Sequence, residues 1–156
     1  MRLVLDTDVL VAGSRSRTGA SRILPQAVET GIVQALISAP IALEYEAVVT
    51  RAEQLVAMSL TRTAIAVYLD DFVARAEWIS PFYNHGGLIL DPDDDKFVTT
   101  AINANAEAIV TFNIRDYVPR DGRVTGLGIL VCRPGDILRR LSWRPSATSP
   151  FGSLFH

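Results

Sequence analysis

Short apolar runs alternate along the chain with stretches of helical period. Leu3-Val4-Leu5 predicts a buried strand ending at Asp6, and Val9 to Ala12 continues apolar before a polar loop from Gly13 to Gly19. Ile23, Leu24, Ala27 and Val28 share one face of a helix over 20–30 stopped by Gly31, with Pro25 in conflict unless it lies in the first turn. Residues 33–37 form the next strand, and Ser38 caps a helix carrying Ile41, Leu43, Glu44, Tyr45, Val48 and Val49. A short helix or turn over 53–60 precedes a long amphipathic helix over 61–77. Trp78-Ile79 is extended, 81–87 is a loop, and Leu88-Ile89-Leu90 leads into Asp91-Pro92-Asp93-Asp94-Asp95, which opens a helix through Ala106. A strand over 108–112, a polar turn over 113–116, a strand over 127–131 and a helix starting at Pro134-Gly135-Asp136 complete the pattern. The Ser- and Pro-rich tail, 142–156, is expected to be loose.

Strands that are apolar throughout, rather than at every second position, are buried on both faces. Alternating with helices, they define an α/β protein with a parallel sheet covered by helices on each side. In such sheets the site lies beyond the carboxyl ends of the strands.

Composition narrows the chemistry. With 156 residues, 49% hydrophobic, the chain is sized for one domain with a real core. Fifteen basic against seventeen acidic residues argue against nucleic-acid binding through a broad basic surface. Fourteen of the basic residues are Arg, and Lys96 is the sole Lys, which leaves little scope for Schiff-base chemistry. A single cysteine, Cys132, excludes an internal disulfide framework and a Cys-cluster zinc site. The apolar start Met1 to Leu5 is too short for a signal peptide, and no apolar run approaches a membrane span. The expectation is a soluble, cytoplasmic protein with no membrane association.

Acidic residues fall where an α/β site needs them: Asp6 at a strand end, Asp91 to Asp95 at a helix start, and Asp116 after the strand 108–112. Glu44 shares a helix face with Ile41 and Val48, whereas Glu46 points elsewhere. Taken singly each has an ordinary explanation: Asp6 as a turn former, Asp91 to Asp95 as a cap with first-turn charges, Glu44 as a solvated helix residue. Together they would repel one another, and a hard divalent cation relieves that repulsion. Oxygen-only ligands suit Mg2+ or Mn2+. Arg15, Arg17 and Arg22, in or just after the first loop, and Arg115 in the 113–116 turn are candidate phosphate contacts, with solvated loop residues as the alternative.

LVLDTDVLVAG (3–13), SAPIALEYEAVVTR (38–51), DPDDDKFVTTAINANAEAIVTFNIRDY (91–117) and GILVCRPGDIL (128–138), in that order, resemble the PIN-domain family, the nuclease fold of many prokaryotic toxins of toxin–antitoxin pairs. The resemblance spans 1–141 and implies a three-layer α/β/α fold with a central, mostly parallel sheet. It implies a metal-dependent ribonuclease with Asp6, Glu44, Asp94 and Asp116 as catalytic and metal-binding residues for Mg2+ or Mn2+. Asp91, Asp93 and Asp95 become cap or rim residues. Thr111 orients Asp6 or a water, and Asn113 offers a neutral oxygen in the turn that carries Asp116. The implied partners are RNA, a cognate antitoxin and a second copy of the chain in a homodimer. Asp8 departs from the family, which commonly has Asn there, and adds a negative charge two residues from Asp6.

Two other readings remain open on sequence alone. LDTDVL (5–10) resembles the phosphatase loop of haloacid-dehalogenase-like enzymes, with Asp6 as nucleophile and Asp8 as acid, although Lys96 falls in the wrong order for that family. A catalytically inactive PIN scaffold used for binding is the second. Apolar positions of the helix 61–77 (Ile65, Leu69, Phe72, Val73) are assigned to the protein's own core in preference to a partner surface.

Overall fold

The computed structural model describes residues 1–15, 20–83, 87, 89, 91–117 and 129–141. The expected tail, Arg17, most of the 13–19 loop and the start of the last predicted strand lie outside them. Among the described residues five strands form one sheet: β1 (Arg2–Leu5), β2 (Gln34–Ile37), β3 (Glu77–Trp78), β4 (Ala108–Val110) and β5 (Leu130–Cys132), in the order β3-β2-β1-β4-β5. Every pairing is parallel, with Leu3 opposite Ala35 on one side of β1 and Ala108 on the other. Leu3, Val4, Leu5, Ile109 and Val110 are all essentially inaccessible, as continuous apolar strands covered on both faces require.

The connections from β1 through β2 to β3 step one way along the sheet. They run through α1 (Thr7–Arg15), α2 (Ala20–Glu29), α3 (Ala39–Val49), α4 (Ala52–Met58) and α5 (Arg62–Arg75). The next connection, through α6 (Asp95–Asn103), steps back across β1 to β4, and α7 (Pro134–Leu141) follows β5. Right-handed crossovers put these two sets of connections on opposite faces of the sheet. The strand order therefore reverses between β1 and β4, and the crevice for a ligand opens beyond the carboxyl ends of those two strands. Asp6 and Thr111 are the first residues past them, and the ladder reaches both: Asp6 N–H donates to the Val110 carbonyl (2.9 Å) and Thr111 N–H to that of Cys132 (3.0 Å).

Three local expectations change. Instead of an apolar continuation of β1, α1 starts at Thr7, with the Asp6 carbonyl accepting from Val9 and Leu10 N–H. Val9, Leu10, Gly13 and Ser14 form its buried face, and Ser14 satisfies its hydroxyl on the Leu10 and Val11 carbonyls. A short apolar run fits a strand or a buried helix equally well, and here the helix wins. Pro25 lies inside α2 rather than in its first turn; the helix runs on to Glu29, and the chain turns at Gly31, whose φ of 75° suits glycine. Finally, α6 stops at Asn103 rather than Ala106. Asn105 takes a left-handed φ of 50°, and Ala106 N–H bonds back to the Ala101 carbonyl.

Ile65, Leu69 and Phe72 of α5 are buried and Val73 partly so, which confirms that this helix serves the protein's own core. Among the described residues no helix is long and apolar enough to cross a membrane.

Candidate active site at the β1–β4 edge

Asp6 is only 6% exposed. Its Oδ2 accepts from the Thr111 hydroxyl and the Tyr117 hydroxyl, both at 2.8 Å. Burial raises its pKa; the two hydroxyl bonds pull it back, and the charge of Glu44 adds to the rise. Burial, and next the charge of Asp6, push the Tyr117 hydroxyl far above its ordinary pKa, so it stays a donor. Behind this pair the buried Tyr45 hydroxyl donates to the Leu5 carbonyl, tying α3 to the end of β1.

Asp8 stands on the same side as Asp6, and both carboxylates reach the Thr111 hydroxyl. Because α1 begins at Thr7, its carboxylate turns to the end of β4, where Oδ2 accepts from Phe112 N–H (2.9 Å) and lies 3.3 Å from the Thr111 hydroxyl. Its Oδ1 is buried with no hydrogen-bond partner among the described residues. Burial, then the charge of Asp6, raises its carboxyl to about 6. Thr111 Oγ1 in turn accepts from Asn113 N–H (2.9 Å), and the Asn113 carbonyl accepts from Asp116 N–H (3.0 Å). Asn113 thus shapes, through its backbone, the short 3-10 turn Ile114–Tyr117 that delivers both Asp116 and Tyr117 to the site.

Asp91, Asp94 and Asp116 converge: one carboxylate oxygen from each lies within 4.8 Å of the others, and all three are partly exposed. Asp94 and Asp116 belong to the expected set. Asp91, expected only at the cap or rim, does cap the 3-10 turn Pro92–Asp94 by accepting from Asp93 N–H (3.0 Å), and also joins the group. In a 3-10 turn, residues three apart eclipse, which stacks Asp91 and Asp94 on one side. Burial raises the Asp94 carboxyl to about 7, the charges of Asp6, Asp91 and Asp116 add to the rise, and Lys96 opposes it. Asp95 is a further correction: it is buried, not at the rim, and accepts from Gly87 N–H.

No group of three that includes Asp6 or Glu44 reaches the same spacing among the described residues. Glu44 stands on the Asp6 side of the edge with both oxygens engaged. Oε1 accepts from the Thr7 hydroxyl (2.5 Å), and Oε2 pairs with Lys96 Nζ (2.5 Å). Ser38, at the start of α3, leaves its capping bond unmade and instead joins its hydroxyl to that of Thr100 (2.8 Å), fixing α3 against α6. Of the candidate phosphate contacts, Arg115 lines the open depression beside Asp91, Pro92 and Asp116. Arg15 ends α1, about 12 Å of helix rise from Thr7, and bonds to Gln54 of α4. Arg22 lines a cleft between α2 and α5. Helix α1 runs through Gly13 to Arg15, the first three positions of the expected loop, and carries Arg15 off the edge.

The donor set fits a hard divalent cation. Oxygens bound to one ion at about 2.1 Å lie about 3.0 Å apart when adjacent and about 4.2 Å when opposite, and the Asp91, Asp94 and Asp116 oxygens, all within 4.8 Å of one another, are near enough to share one ion. Oxygen ligands alone and mutual repulsion, marked by the raised Asp94, point the same way.

An all-parallel α/β sheet with carboxylates gathered at its topological switch point defines the class of protein. The sequence matches the PIN domain over residues 2–115, and the chain belongs to the PIN-domain family. A crystal structure of VapBC2 from Rickettsia felis, bound to a DNA fragment from their promoter, shares the fold. Its TM-score is 0.55 at 18% identity, covering 85% of this chain and 98% of that one. No curated protein matches the sequence. Family membership displaces the phosphatase alternative on Asp6 and Asp8.

Proposed function

We propose that the protein is a divalent-metal-dependent ribonuclease and the toxin of a toxin–antitoxin pair. The observation that carries this is the convergence of Asp91, Asp94 and Asp116 beside the buried Asp6 at the switch point. In this reading Asp94 and Asp116, with Asp91, hold Mg2+ or Mn2+, Asp6 faces them from the end of β1, and Glu44 completes the acidic edge. Such an ion supplies an activated water and offsets the charge that builds on a phosphodiester. The chain's own residues keep the edge in shape: Thr111 and Tyr117 fix Asp6, Asp8 ties α1 to the end of β4, and Arg115 meets the RNA phosphates.

RNA as substrate, an antitoxin, a homodimer and a cytoplasmic location rest on the family; the VapBC2 neighbour is consistent with an antitoxin. The test is cleavage of end-labelled RNA with Mn2+ or Mg2+ against EDTA, in wild type and Asp94→Asn. Cleavage that needs metal and is lost in Asp94→Asn is expected. Inactivity of the wild type across varied RNAs, with a tight protein partner, would favour the inactive scaffold instead.

A further inference from the structure

The sole lysine lies at this edge. Lys96 Nζ pairs with Glu44 Oε2 and also donates to the Asp93 carbonyl, over the ring of Phe97 at 5.2 Å. The ion pair is largely enclosed, its two side chains 21% and 26% exposed, so it is held in place far better than a surface pair. Thr7 takes the other Glu44 oxygen, so both oxygens are already partnered and the charge of the carboxylate is already met by the ammonium. The lysine's charge also reaches Asp94, whose carboxyl it draws down against the surrounding acids. An ammonium carries three donors, and Glu44 and Asp93 account for two.

We propose that Lys96 is a built-in second cation. The acidic edge takes one divalent ion at Asp91, Asp94 and Asp116, and Glu44 anchors the Lys96 ammonium instead of ligating a second ion. The remaining N–H of Lys96 is placed to bind a phosphate oxygen of the RNA. This inference rests on the nuclease reading for its substrate, but not for its metal count. A second divalent ion on Glu44 would sit against the Lys96 ammonium and be repelled by it. The lysine gives the site the same sign of charge there at lower magnitude and with no dependence on metal supply.

The test is a Mn2+ titration of RNA-free protein, following the free-ion EPR signal, with wild type, Lys96→Gln, Lys96→Arg and Glu44→Gln. One ion per chain is expected in the wild type and in Lys96→Arg. Lys96→Gln frees Glu44 and gains a second, weaker ion. Glu44→Gln keeps the affinity of the first ion within about threefold, under the tenfold or greater loss typical even of a ligand's supporting partner. RNA cleavage by Lys96→Gln falls at low Mn2+ and partly recovers as Mn2+ rises and the second ion replaces the ammonium. Two ions or none in the wild type, or loss of the first ion in Glu44→Gln, would overturn the proposal. Absence of RNA cleavage by the wild type would instead overturn the nuclease reading, and the ion counts would still decide the role of Lys96.

Discussion

Replacing Tyr117 by Phe removes one atom from the site and leaves the ring. Tyr117 is 3% exposed and Asp6 6%, so water cannot stand in for the lost hydroxyl without opening the edge. The 2.8 Å bond to Asp6 Oδ2 is a hydroxyl donating to a carboxylate, a class contributing about 1.5–3 kcal/mol. Thr111 cannot compensate, because its single hydroxyl hydrogen already serves Asp6 at 2.8 Å. The expected loss is therefore about 2 kcal/mol in metal-free protein, or roughly 4–8 °C in Tm for a chain of this size. It depends on pH. The lost bond favours the charged form of Asp6, so the variant's folded-state pKa rises further above the unfolded value. The penalty is thus full at high pH, where Asp6 is ionised in both proteins, and shrinks as pH falls through the folded-state pKa. Thermal unfolding with EDTA at pH 8 and pH 4 measures both values. In an Asp6→Asn background the same change should cost only about 1 kcal/mol, the neutral-bond figure. Equal losses at both pH values, or no difference between the two backgrounds, would refute the charge-assisted bond.

Asp8→Asn should stabilise the metal-free protein at pH 8. Its carboxyl at about 6 lies above the unfolded value, so the folded state holds the proton more tightly. Stability falls as pH rises from about 4 to 6, and the cost is fully present above that. Screened by solvent, the gain is on the order of 1 kcal/mol at pH 8 and near zero at pH 4, read by denaturant unfolding; a loss at pH 8 would contradict the assignment. Pro25→Ala should raise Tm, because the ring interrupts α2; up to about 3 kcal/mol is available, less whatever packing the ring gives beside Tyr68 and Phe72. Arg115→Ala should raise KM for RNA roughly tenfold with kcat little changed, and flatten the salt dependence by about one phosphate contact. A fall in kcat at constant KM would move Arg115 from binding to chemistry.

The central strands were legible because Leu3-Val4-Leu5 and Ala108-Ile109-Val110 are apolar at every position, which only a sheet covered on both faces explains. Asp6 and Asp116 stood out for a related reason, since each follows an apolar run at the expected end of the sheet, whereas Asp94 was singled out of the 91–95 run by the family resemblance. The missing parts turn on local backbone geometry. Asp91 joins the cluster because the chain enters α6 through a 3-10 turn, where the resemblance made it only a cap or rim residue. Asp8 faces Phe112 because α1 starts at once after β1, a choice that a four-residue apolar run does not make. Tyr117 carried a signal in its place next to Asp116 in a turn that returns to β1. Thr7, beside Asp6, had no neighbour in sequence to mark its bond to Glu44.

The central claim is that this edge binds a divalent cation. Anomalous diffraction from crystals equilibrated with Mn2+ tests it most directly. The account predicts an ion ligated by Asp94 and Asp116, with Asp91 in its coordination sphere and Lys96 still paired with Glu44. Full occupancy of Mn2+ elsewhere on the protein, with none at these three carboxylates, would contradict it.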